Sequence, residues 1–332
     1  MKNKQKTIGM IVGVIILVLF VLILAIGPFV FGPETKAGDI RYGATYSTMY
    51  ADKLGIDPID GFKAIVQDLG VTTVRVPVYW DRIEPSKDVF VWDEVDVIMK
   101  IAEDNDVDVV LAIGGRVPRW PECFFPSWAR DLDRAKLGER QLNMVDEVVS
   151  RYKDSNSLLR WQVENEPFLK WFGECPDVDV DLLNKEVELV KRLDPSHEIM
   201  TTASGEQSMW RRESKMTPSM IGTSVYREVH NPIFGYVTYP IPAWFYVAKA
   251  SMLGDTKVIV SELQAEPWFV GDVSNYEIAD QVDLFTARDL ERNVSYANKI
   301  GFSEVYVWGV EWWYFMKMNG HPELWDAGRK IF

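Results

Sequence analysis

Histidine is almost missing from this 332-residue chain: His197, His230 and His321 are its only three, and they lie far apart. Cysteine is scarcer still. Cys123 and Cys175 sit in no Cys-x-x-Cys pair and beside no plausible ligand set, so neither a zinc site nor any other metal centre is expected. Positive charge is in deficit, with 36 Lys and Arg against 49 Asp and Glu and a net charge of −13. Phosphate backbones and anionic lipid surfaces both reward Lys and Arg, so no nucleic-acid partner and no basic docking surface are expected. A Gly-rich phosphate turn is absent as well. Tyr46-Ser47-Thr48 follows the first strand candidate, which argues against a doubly wound nucleotide fold.

Long apolar runs are limited to one. Thr7 to Phe31 is 25 residues without a charge, preceded by Lys2, Lys4 and Lys6. A spanning helix needs roughly 20 residues, whereas the core of a cleavable signal peptide has about 7–15. The stretch around Ala37 and Gly38 is a poor small-x-small cleavage site. The expected organisation is a basic cytoplasmic tail over 1–6, an uncleaved transmembrane anchor over 7–31, a linker over 32–39 and an extracytoplasmic domain over 40–332. Outside the cytoplasm a disulfide between Cys123 and Cys175 is expected, because loops after neighbouring strands carry them.

What the domain does contain is alternation. Strand candidates fall at Ile40–Thr45, Thr73–Val78, Val107–Ile113, Leu159–Glu164, Ile199–Ala203, Met220–Val225, Lys257–Ser261 and Glu304–Trp308. Helical spacing of apolar residues fills Pro58–Leu69, Val95–Asn105, Asp133–Tyr152, Val178–Leu193, Ala243–Leu253 and Ile278–Ile300. A stretch around Pro232, Pro240 and Pro242 reads as a long loop after the sixth strand. Eight strands alternating with helices predict the α/β class, as a single (β/α)8 TIM barrel preceded by the N-terminal transmembrane helix.

Barrels place their chemistry at the C-terminal ends of strands. The fourth strand ends in Val163-Glu164-Asn165-Glu166-Pro167, where proline stops the ladder, and Glu262 follows the seventh. Asn165 is suited to donate to a substrate hydroxyl. The fourth and seventh strands face each other across the mouth, so Glu166 and Glu262 form a candidate pair. Glycosidic hydrolysis with retention needs two such carboxyls, one to protonate the leaving oxygen and one to attack the anomeric carbon. That chemistry needs neither a metal nor an organic cofactor.

Asn-Glu-Pro on strand four with a glutamate on strand seven resembles the clan A glycoside hydrolases, the 4/7 barrels that include the family 5 cellulase-like enzymes. The resemblance spans the chain from about Asp39 onward. It implies Glu166 as general acid/base and Glu262 as nucleophile. It further implies that Arg75 steadies the nucleophile, that Tyr226 touches it and that Trp308 floors the reacting sugar's subsite. A carbohydrate substrate follows. Many cellulase-like members carry a histidine near the end of strand three and another near strand six. Here strand three ends Ile113-Gly114-Gly115-Arg116, and His230 lies four residues beyond Tyr226.

Trp120, Trp171, Trp268, Trp312 and Trp313 follow strand ends, each either a sugar platform or loop packing. Glu164, Glu206, Glu266 and Glu311 are further carboxylates near the mouth, and Arg116 and Arg227 are expected to balance them. Two other functions share the same barrel: a non-catalytic glycan-binding surface protein, and a transglycosylase that remodels a surface glycan. Turnover of any glycoside excludes the first, and longer glycan products identify the second.

Overall fold

Alternate residues of the strand segments are apolar: Val74 and Val76; Val109, Leu111 and Ile113; Trp161 and Val163; Val305 and Val307. All of them lie in one core between strands and surrounding helices. The computed structural model describes residues 38–217 and 219–332, together with Leu17. Eight parallel strands close into a barrel: β1 (Arg41–Thr45), β2 (Thr73–Pro77), β3 (Asp108–Ile113), β4 (Leu158–Val163), β5 (Glu198–Ala203), β6 (Met220–Val225), β9 (Lys257–Gln264) and β10 (Glu304–Trp308). Their spatial order is β1-β10-β9-β6-β5-β4-β3-β2, so β4 and β9 are the fourth and seventh barrel strands. The anchor expected over 7–31 lies outside this region. Among the described residues no helix is long and apolar enough to cross a membrane.

The opposite strand faces fill the barrel in layers. Val110, Met200, Met220, Ile259 and Tyr306 form a small apolar core inside it. Toward the strands' N-terminal ends Arg160 pairs with Glu304 at 2.8 Å, and Lys257 joins them at 2.6 Å. Toward the C-terminal ends the layer is polar and contains Arg75 and Gln162, joined at 2.6 Å. The barrel is therefore apolar at mid-height and charged at both ends, including the one where chemistry is expected.

Helices begin where a short acidic side chain takes up free backbone N–H groups. Asp57 caps Pro58–Gln67, Asp133 caps Arg134–Tyr152 and Asp179 caps Val180–Leu193. The helix expected over Ile278–Ile300 is two, Ile278–Gln281 and Ala287–Ile300. The break is at Thr286, whose N–H is taken by the Asp289 carboxylate at 2.9 Å in a capping box. The Pro-rich loop after β6 contains a hairpin, β7 (Glu228–Asn231) and β8 (Gly235–Thr238). The seventh barrel strand runs three residues beyond the expected Ser261, so Glu262 lies within it.

Cys123 and Cys175 are joined across the loops that follow β3 and β4, with Cα atoms 5.4 Å apart. Tying residues 52 apart in sequence restricts the unfolded chain by about 4 kcal/mol on chain-entropy grounds. Changing both cysteines to serine should lower the melting temperature by several degrees. An unchanged melting curve would mean that the two loops are held by their other contacts alone.

Candidate active site

Two departures from regular strand geometry bring the two glutamates into the mouth. Along β9, Val258 and Val260 face the helices and Ile259 faces the barrel interior. Unbroken alternation would send Glu262 outward and Leu263 inward. Instead the pairing skips a residue on both sides. Val260 and Leu263 pair with Val305 and Val307 of β10, while Val260 and Glu262 pair with Thr223 and Ser224 of β6. Ser261 is the extra residue of this bulge. Beyond it Leu263 joins the outer core and Glu262 turns into the site.

After β4 the backbone takes left-handed φ values at two non-glycine residues, 59° at Glu164 and 42° at Glu166. Each such residue costs roughly 1–3 kcal/mol. Surrounding bonds hold them there. The Glu164 carboxylate accepts from the Gly115 and Arg116 N–H groups at 2.7 and 3.0 Å and from the Gln141 amide at 2.9 Å. The Glu166 N–H donates to the Thr202 hydroxyl at 2.9 Å. A side chain at Gly114, whose φ is 125°, would collide with the Glu164 carboxylate. Gly114, just past strand three, thus makes room for Glu164, which shapes the turn that presents Glu166, while Gly115 makes room for Gln141, which bonds Glu164.

The two carboxyls have different surroundings. Glu262 accepts from Arg75 Nη1 at 3.0 Å and from the Tyr226 hydroxyl at 3.1 Å. Burial, then the charge of Glu262, pushes Tyr226 well above the usual phenol range, so it stays a neutral donor. Glu166 accepts one bond, from the Ser224 hydroxyl at 2.7 Å. Burial, and after it the charge of Glu262, raises the Glu166 pKa well above the usual carboxyl range. One group is held by a cation and a phenol. The other is held toward its protonated form.

Arg75 is fully buried. Besides Glu262 it reaches Gln162 through Nε and Asn165 through Nη2 at 2.8 Å. Asn165 does more than its sequence position suggested. Its Oδ1 accepts from Arg75, Gln162 and Thr202, and its Nδ2 donates to Glu122 at 2.9 Å. Glu122 is a further buried carboxyl here, and sequence reasoning missed it. It lies nine residues past the end of β3, in a loop without periodicity that carries the cis Trp120–Pro121 bond. Burial pushes its pKa up to about 8, and Arg116 at 3.5 Å offsets only part of that.

Trp308 lies at the end of β10 with the Arg119 guanidinium 4.2 Å above its ring. Arg119 in turn pairs with Glu266 and with Glu311, the latter at 3.0 Å. Trp312 and Trp313 are fully buried and donate to Gln281 and to the Ala265 carbonyl, so both are packing residues. Trp120 and Trp171 are 53% and 62% exposed, and Trp268 packs edge-on against Tyr226. Glu206 accepts from the Tyr226 N–H and the Tyr246 hydroxyl. Arg116 bonds the Phe172 carbonyl, and Arg227 bonds the Ile241 carbonyl while stacking on Tyr296. His230 lies on the hairpin against Tyr236.

A closed parallel barrel with one glutamate just past its fourth strand and another on its seventh is an arrangement suited to glycoside hydrolysis. Residues 38–231 match Cellulase (glycosyl hydrolase family 5), and the chain belongs to that family. It is similar in fold to the exo-β-1,4-mannosidase Op5Man5 from Opitutaceae bacterium strain TAV5. The identity is 13% and the TM-score 0.60, over 89% of this chain and 60% of that one. It also resembles a GH5_18 enzyme from Streptomyces cattleya in complex with GlcNAc, at 13% identity and a TM-score of 0.55, over 82% of this chain and 70% of that one. A GH10 protein from Paenibacillus barcinonensis aligns at 20% identity and a TM-score of 0.52, over 82% and 84% of the two chains.

Glu122 gives the domain a pH signature. A carboxyl raised to about 8 in the fold stabilises it fully below the ordinary glutamate value, and that contribution is lost as pH rises through about 8. Between pH 5 and pH 9 the melting temperature of the parent should therefore fall further than that of Glu122→Gln. Parallel profiles would show that Glu122 ionises in the fold without cost.

Proposed function

We propose that this family 5 domain hydrolyses O-glycosidic bonds of a carbohydrate chain with retention of configuration. The observation that carries the proposal is the contrast between the two carboxyls. Glu166 is buried and held toward its protonated form, while Glu262 is gripped by Arg75 and Tyr226. In the first step the Glu262 carboxylate attacks the anomeric carbon as Glu166 gives its proton to the leaving oxygen, forming a covalent glycosyl-enzyme. As Glu262 gives up its charge to the new ester, Glu166 becomes ionised. In the second step Glu166 takes a proton from water, whose oxygen displaces Glu262 and leaves both carboxyls as they began.

The proposed setting is the outer side of a membrane, with the run over 7–31 as anchor and the three N-terminal lysines inside. The full chain should then sediment with membranes and resist alkaline extraction, while a chain starting at Glu34 stays in the supernatant. A soluble full-length chain would remove this part of the proposal.

The chemical test uses that soluble domain on a panel of aryl glycosides and polysaccharides. Glu166→Gln should lose about 10²–10⁴-fold in kcat/KM on substrates with poor leaving groups. Azide should restore its turnover of an activated aryl glycoside, giving a glycosyl azide of unchanged anomeric configuration. Glu262→Gln should be inactive on every substrate. Activity that survives Glu262→Gln would discard the assigned nucleophile. The kcat/KM profile should hold on its alkaline side well above the ordinary carboxyl range, because Glu166 must stay protonated to react.

A further inference from the structure

The mouth is asymmetric about the catalytic pair. Beside Glu166 lies a cavity of about 290 Å³, lined by Glu166, Phe168, Gln207, Met209 and Arg211 among others. On the far side a bar crosses the mouth. It starts in the loop after β3, where Arg119 takes a φ of 94°. Its guanidinium lies between two rings, 3.8 Å from that of Tyr50 and 4.2 Å from that of Trp308. Its nitrogens reach Glu266 beyond β9 and Glu311 beyond β10. Glu311 also takes the Ser47 N–H beyond β1. Arg119, Glu266 and Glu311 are all buried, so the space they occupy is filled. The loop bearing Arg119 is fixed on either side, by Arg116, which donates to the Phe172 carbonyl, and by the Cys123–Cys175 bond.

We infer that Arg119 closes the mouth behind the reacting sugar, so that the enzyme removes single sugars from a non-reducing end. This rests on the hydrolase reading given above. The general acid must touch the leaving oxygen, so the cavity beside Glu166 receives the leaving group. The reacting sugar lies between that cavity and Trp308. A second sugar on its other side would need the volume taken by Arg119 and its two carboxylates. A chain therefore enters end first, and an internal bond never reaches Glu262. Each event breaks the bond between the terminal anomeric carbon and its bridging oxygen. Water's hydroxyl ends on that carbon, its proton ends on the bridging oxygen, and a free monosaccharide leaves.

The test pairs para-nitrophenyl β-glucoside, β-mannoside and β-xyloside with the matching disaccharides, para-nitrophenyl β-cellobioside, β-mannobioside and β-xylobioside. For whichever sugar is turned over, initial nitrophenol release should be about 10²-fold faster from the monosaccharide glycoside. The disaccharide should yield free monosaccharide first and nitrophenol only after a lag. Immediate nitrophenol together with intact disaccharide would overturn the inference and leave the hydrolase reading intact. No turnover of any pair or of the wider panel would overturn both.

Removing Arg119 alone would strand two buried carboxylates. The opened form is therefore Arg119→Ala combined with Glu266→Gln and Glu311→Gln. In it, release of intact disaccharide should rise about tenfold or more over the parent. A folded triple variant that still cuts only terminal sugars would overturn the role of Arg119. If the triple variant does not fold, the product order of the parent enzyme decides.

Discussion

A single guanidinium inside the barrel ties the site together. Arg75 reaches Glu262 on β9, Gln162 on β4, Asn165 just beyond β4 and Thr45 on β1. Burying a cation costs several kcal/mol unless it is paired and its donors are satisfied. Here the pairing partner is Glu262, the carboxylate proposed to attack. The same contact that makes the buried arginine tolerable also fixes the orientation of the Glu262 carboxylate. It further fixes Asn165, and through Asn165 the carboxyl of Glu122.

Around that centre, irregular backbone does the positioning. The bulge at Ser261 and the left-handed turns at Glu164 and Glu166 are each unfavourable in isolation, and each is held by several bonds. Regular strands would have aimed one of the two glutamates at the helices. Stability supplied by the outer core, where the strands meet their helices, is thus drawn on to hold a mouth that would not adopt this shape alone.

The barrel was legible in the sequence because its outer strand faces are alternating apolar residues, as at Val109, Leu111 and Ile113. Glu166 and Glu262 were legible as glutamates at the ends of such runs. The break at Thr286 was not, because apolar spacing continues across it and the capping pair Thr286 and Asp289 was read as helix interior. The bulge was invisible because a one-residue register change depends on partners in β6 and β10. Glu122 and Arg119 were invisible because no periodicity marks a loop residue whose partners are remote in the chain. Trp308 was legible as a tryptophan at the end of the last strand, but its stacking on Arg119 could only be seen in three dimensions.

The distances along the chain also set an order of assembly. Arg119 is synthesised 147 residues before Glu266 and 192 before Glu311. While the chain is being made, this arginine has neither its carboxylates nor the Trp308 ring to rest on. The mouth of the barrel takes its final form only when the last strand arrives to close the sheet. Loss of the C-terminal segment would thus remove more than a strand: it would leave an arginine that belongs indoors facing the solvent, at one side of the barrel's mouth.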